Sequence, residues 1–312
     1  MYQLEKTPFG DFVKYRIWNE KNGQTFSIVP GHGSCLLNIE MDGRSLVDGF
    51  KTPAEVVANR WMKNTLLVPF PNRLRTGTYH WEDKTYRFYL NDSITQNAIH
   101  GFLMDKKMEV TQTGLTQEHA TISCSIDYEG SLESYPFPFF FEVTYLIKAS
   151  NAFEVELSFQ NKGTAAIPVG LGWHPYFQLI ESIDELKLQM PSSQMVGLDE
   201  FMIPTGKRYD YDEFDSLKPM KATILDNCFA LNEDEGRASF VLQSPKHTLK
   251  YWQETGAGKF NFAQVFTHPD RTSIAIEPMT CNVNAFNNGE GLSSLEPGEW
   301  LKAKCGFELT SS

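Results

Sequence analysis

An all-β chain with few short helices, folded as a large sandwich or barrel, is what this sequence predicts. Three observations predict it. Two-residue alternation of apolar and polar side chains is common along the 312 residues, whereas helical periodicity is scarce. The candidate strands are short and numerous, with turn residues between most of them. The composition, 41% hydrophobic and 13% aromatic, supplies a substantial core and excludes a disordered chain. No linker, internal repeat or low-complexity segment interrupts it, so residues 1–312 are read as one domain.

Along the chain, TFSIVP (25–30) is the first strand candidate. TPAEVVANRWM (52–62) breaks the pattern and predicts a short helix, with Thr52 as N-cap and Pro53 at the first helical position. TISCSIDYE (121–129) returns to strand. SLESYPFPF (131–139) is rich in proline but also in aromatics, which points to packing rather than to a flexible linker. In 141–149, Phe141, Val143, Tyr145 and Ile147 share one face; in 152–161, Phe153, Val155, Leu157 and Phe159 do so. The turn-like SNA (150–152) joins these two. ELKLQM (185–190), NFAQVFTH (261–268), TSIAIEPM (272–279) and WLKAKCGFEL (300–309) complete the set.

Charge and cysteines narrow the function classes. The formal net charge is −11, and no run of Lys or Arg is present, so nucleic acid is not an expected partner. The five cysteines (Cys35, Cys124, Cys228, Cys281 and Cys305) are widely spaced and form no C-x-x-C pair. They read as reduced, buried thiols of a cytoplasmic protein. No signal peptide and no apolar run long enough to span a bilayer is visible, so no membrane partner is expected. Nucleotide-binding, zinc-protease and serine-hydrolase motifs are missing.

What remains is a scatter of polar residues in unusual surroundings. In PVGLGWHPYF (168–177), Val169, Leu171 and Trp173 alternate with Gly170, Gly172 and His174. A strand face of two glycines and then an imidazole would form an empty shelf for a ligand; the alternative is a bulge with a hydrogen-bonded core histidine. In 272–279, Ser273, Ala275 and Glu277 share a face, and Glu277 either projects into a cleft or ends a solvated strand. Arg73 follows a rigid Pro-Phe-Pro-Asn segment, where a fixed fork of donors is useful, although Arg73 and Arg75 could equally be solvated. His100 precedes Gly101, which permits close backbone approach; otherwise it packs in a turn.

The blocks LLVPFPNRLRTGTYHWEDKTYRFYLND, NAIHGF, SYPFPFFFEVTY, GLGWHPYF, IPTGKRYDYDEFD, LDNCF and IEPMTCNVNAFNNGEGLSSLEPGEW resemble, in order and spacing, the aldose 1-epimerase (galactose mutarotase-like) family. The resemblance spans most of the chain. It implies a large antiparallel sandwich with a sugar-binding cleft. It also implies that Arg73, His100 and Asp226 bind substrate, that His174 is the general acid and that Glu277 is the general base. EPMTC and GWHPYF depart from the better-known mutarotases and leave the sugar open. The implied reaction interconverts the anomers of a free aldohexose such as galactose or glucose. It moves only protons, so no metal or organic cofactor is expected. The implied partner is a small-molecule sugar, bound by a monomer or homodimer. Trp173, Tyr176 and Phe177 could offer an aromatic platform for the sugar, or simply pack in the core. Two other readings stay open. One is a hexose-6-phosphate 1-epimerase, for which Arg75 is the nearest extra cation. The other is a sugar-binding protein without catalysis.

Overall fold

The structure, a computed structural model, describes residues 1–311. Antiparallel sheets dominate it. A nine-stranded sheet runs in the spatial order Glu109–Leu115, His119–Tyr128, Phe139–Lys148, Ala152–Asn161, Trp300–Ser311, His247–Glu254, Arg237–Gln243, Lys187–Gln189, Lys218–Pro219. An eight-stranded sheet contains Pro204–Tyr211, Ser193–Leu198, Asp226–Leu231, Phe262–Thr267, Ile274–Met279, Gly172–Trp173 and Leu66–Leu67, with Tyr176–Phe177 also paired to Ile274–Met279. Five further strands from Gln3–Phe9 to Arg44–Ser45 form a meander. Among the described residues no helix is long and apolar enough to cross a membrane.

The alternation read from 141–161 fixes the register. Phe141 lies opposite Phe159, Val143 opposite Leu157, Tyr145 opposite Val155 and Ile147 opposite Phe153. All eight side chains are fully buried, so the whole apolar face of this pair is core. The turn closes at Asn151, whose amide donates to the Lys148 carbonyl from a left-handed backbone. One apolar cluster reaches from Tyr2 to Leu309 and joins the sheets.

Two local expectations need correction. The helix after Thr52 spans only Pro53–Ala58. Thr52 caps it as expected, accepting from the Glu55 amide, but Asn59 enters the left-handed region and its amide closes on the Glu55 carbonyl. The glycines beside His174 leave no shelf for a ligand. A Cβ on Gly170 would meet Cys281 Sγ at 2.3 Å, and one on Gly172 would meet the Pro278 carbonyl oxygen at 2.9 Å and Pro71 at 3.0 Å. The glycines admit neighbouring chain, and the predicted strand breaks into Ile167–Val169, Gly172–Trp173 and Tyr176–Phe177.

Candidate active site

The four elements that carry the polar residues converge because short pairings pin them. Arg73–Leu74 pairs with Ala98–Ile99, which sets His100 beside Asn72. The His100 amide donates to the Asn72 carbonyl, and the Asn72 amide donates to His100 Nδ1, both at 3.0 Å. Gly101 lets the chain after His100 pass close to Val68: a Cβ there would lie 2.0 Å from the Val68 carbonyl oxygen. His174 sits between two short strands. Its amide donates to the Thr65 carbonyl, and its own carbonyl accepts from the Asn64 amide. Glu277 lies on Ile274–Met279, directly opposite Gln264 of Phe262–Thr267. Asp226 opens the next strand, and Gln264 Nε2 donates to its Oδ1 at 2.7 Å.

All five predicted residues line one cleft of about 250 Å³. That is just under the roughly 300–1,000 Å³ typical of drug-sized pockets, and it suits one small polar molecule. His174 Nε2 lies 3.3 Å from Glu277 Oε1, and the His100 and His174 rings meet edge to face at 5.2 Å. Glu277 is buried within the sheet rather than solvated at a strand end. Its Oε2 and His174 Nδ1 are buried without a hydrogen-bond partner. Orphaned polar atoms of this kind are unfavourable unless another molecule supplies the missing bonds.

Burial sets the protonation pattern. It lowers the His174 pKa to about 3 and pushes His100 well below its ordinary value, where His174 and Arg73 add to the effect. Burial also holds Glu277 well above the usual carboxylate range, with Asp226 adding to this and Arg73 opposing it. Asp226 is raised by burial too, against Arg73 and Gln264. Both shifts favour the uncharged forms, an imidazole beside a carboxyl group.

Arg73 Nε donates to Asp92 Oδ2 at 2.8 Å, and both side chains are largely buried. Against the upward push of burial, Thr95 and Arg73 hold Asp92 below its ordinary pKa. Among the described residues lining the cleft, Arg73 is the only lysine or arginine. Arg75 is not part of the lining. It is half-exposed and paired with Asp199 at 2.9 Å, so it offers no second cation for a phosphate. Trp173 and Phe177 are core residues, and of the three aromatics considered for a platform only Tyr176 reaches the cleft.

Several lining residues had not been singled out. Asn72 Nδ2 donates to Gln264 Oε1 at 3.1 Å, which links the His100 turn through Gln264 to Asp226. A glutamine inside the apolar run FAQVF was the available signal for Gln264. Asp92, Trp61 and Phe266 carry no comparable sequence mark.

His100, His174 and Glu277 bring ligand atoms within 4.8 Å of one another, a spacing a metal ion could bridge. The tautomer argues otherwise. Because His100 Nδ1 accepts from a backbone amide, its proton resides on Nε2, the nitrogen left for a metal. A metal-bound histidine normally donates from its other nitrogen, and here that nitrogen faces a donor. Two well-suited ligands remain, too few for the usual site.

Residues 16–308 match the family profile described as aldose 1-epimerase. The Escherichia coli K12 protein YihR, itself uncharacterised, is 30% identical over 298 residues, covering 89% of this chain and 91% of its own length. The fold is shared with a galactose mutarotase-like protein from Clostridium acetobutylicum, at a TM-score of 0.87, 19% identity and 99% of each chain. It is also shared with galactose 1-epimerase from Lactobacillus acidophilus, at 0.84 and 18%, over 100% of this chain and 99% of that one. With the family match running from residue 16 to residue 308, through every strand that supports the cleft, this chain belongs to the aldose 1-epimerase family.

Proposed function

We propose that the protein is an aldose 1-epimerase that interconverts the α and β anomers of a free aldohexose such as galactose or glucose. The observation that carries this reading is the buried His174–Glu277 pair, 3.3 Å apart, with one unpartnered atom on each side chain. In this reading Glu277 takes the proton of the C1 hydroxyl while His174 gives one to the ring oxygen. The bond between C1 and the ring oxygen breaks, leaving an aldehyde. Rotation about C1–C2 exposes the other face, and closure returns both protons with the roles exchanged. In this reading the imidazole carries the proton and Glu277 is ionised when the sugar reacts, the reverse of what burial alone favours, with the two groups 3.3 Å apart. Arg73, His100 and Asp226 hold the hydroxyls, with Gln264 and Asn72 fixing their geometry. A well-placed acid and base typically contribute about 10²–10⁴-fold each.

The reading extends to the rest of the chain. Residues 1–312 form one aldose 1-epimerase-like domain, supported by the continuous core. A cytoplasmic location is supported by five cysteines that are buried and unpaired. Polarimetry on freshly dissolved α-glucose and α-galactose tests the activity, with glucose 6-phosphate as a third substrate. Acceleration of either free sugar supports the proposal. Acceleration of the phosphate alone favours a hexose-6-phosphate epimerase, and sugar binding without acceleration marks a binding protein.

A further inference from the structure

We propose that Trp61 is the platform on which the apolar C–H face of the bound aldose rests, so that it governs sugar affinity without taking part in proton transfer. The proposal rests on the sugar-binding reading of the cleft. A pyranose is amphipathic: hydroxyls ring its edge, and its faces present C–H groups. The polar part of the lining, Arg73, His100, Asp226 and Gln264, is suited to the hydroxyl edge and offers nothing to a face.

The aromatic rings at hand are mostly committed. Tyr176 is buried, with its ring stacked on His174 at 4.9 Å and edge to face with His268 at 5.7 Å. Phe266 is partly covered by Trp61, whose ring centre lies 6.0 Å away. Trp61 itself lines the cleft and remains 40% exposed. It is also held firmly from behind. Its ring meets His268 edge to face at 4.9 Å, and His268 Nδ1 lies 2.6 Å from Asp270 Oδ1.

The backbone strengthens the argument. Asn59, Trp61, Met62 and Asn64 all have positive φ, from 42° to 65°. Asparagine tolerates this region, but a bulky residue such as tryptophan or methionine is a genuine outlier there. Such strain persists where the surroundings over-determine it, and it concentrates at ligand clamps. Here the surroundings include the catalytic pair's own scaffold. The Asn64 amide donates to the His174 carbonyl, Asn64 Oδ1 accepts from the Tyr176 amide, and Thr65 Oγ1 donates to the Met62 carbonyl. The turn that presents Trp61 is thereby tied to the strand that presents His174. Ile94, 92% exposed, also lines the cleft and supplies a second apolar surface.

The test compares wild type, Trp61→Ala and Trp61→Phe, using anomer exchange of glucose and galactose at equilibrium by NMR together with tryptophan emission during galactose titration. Losing the ring should raise KM about tenfold, with kcat within about threefold. Trp61→Phe should recover most of that affinity while removing most of the sugar-dependent emission change. A KM for Trp61→Ala within twofold of wild type overturns the platform. So does an emission response of full wild-type size in Trp61→Phe, a readout that holds even where the alanine variant does not fold. A wild-type protein with neither turnover nor an emission response overturns the sugar reading itself, a result distinct from the first two.

Discussion

His100 owes its protonation to a single backbone amide. Asn72 N–H points at Nδ1, so the imidazole presents Nε2–H to the cleft and stays neutral in its buried position. That arrangement gives the ring a donor for a sugar oxygen. His100→Asn is expected to raise KM and also to lower kcat, since the donor can follow charge on the opening hemiacetal. The contrast is Glu277→Gln and His174→Asn, where kcat should fall by about 10²-fold or more with little change in sugar affinity. Arg73→Ala and Asp226→Ala should chiefly raise KM if, as proposed, they hold hydroxyls in ground and transition states alike. Steady-state kinetics on the three classes of variant separates these outcomes. The same tautomer predicts that activity survives exhaustive chelation. Loss with EDTA, restored by one specific ion, would show that Nε2 binds a metal after all.

At the scale of the element, the glycines beside His174 are spacers for chain packing. Gly172 lies on Gly172–Trp173 with the Pro278 carbonyl and Pro71 against it. Gly172→Ala should therefore destabilise the fold by about 1–3 kcal/mol through overpacking, read as a drop in Tm, and should disturb the setting of His174. The sequence misled here for a physical reason. A missing side chain looks the same on paper whether the space is left for a ligand or filled by a neighbouring strand. Alternation elsewhere was legible, because at Phe141–Ile147 and Phe153–Phe159 one face meets the core and the other does not. At Ile274–Met279 neither face is wet: Ile274 and Ile276 join the main core, while Glu277 faces the cleft and Met279 a second apolar cluster. Of the site, the titrating residues were legible through block order, and the partners that orient them were not. Gln264 and Asn72 act only through contacts made across the fold, and Trp61 only through a left-handed turn that a tryptophan in a sequence does not announce.

Across the whole molecule, the buried histidines make stability depend on pH in a definite sense. Between about pH 6.5 and 3 the unfolded chain protonates the residue 174 imidazole and the folded chain does not, so stability falls as pH drops through that window. Glu277 and Asp226, raised by burial, act oppositely: their contribution is present at low pH and lost as pH rises through their folded values. His174→Asn should remove the first effect. Urea unfolding at pH 6.5 and pH 5 should show the variant losing less stability than wild type, by up to about 1.4 kcal/mol per pH unit. Equal losses would show that the folded protein protonates this imidazole. The cleft also has a history in time. His100 and Glu277 stand roughly 180 residues apart, so at ribosomal speeds of about 5–20 residues per second some 10–35 s separate their synthesis. Until Glu277 and its neighbouring strands emerge, His100 waits beside Asn72 with no acid–base pair to serve. An N-terminal fragment released early carries half of a binding site and none of the chemistry, and the appearance of activity on a growing chain would mark the moment at which the sheet closes.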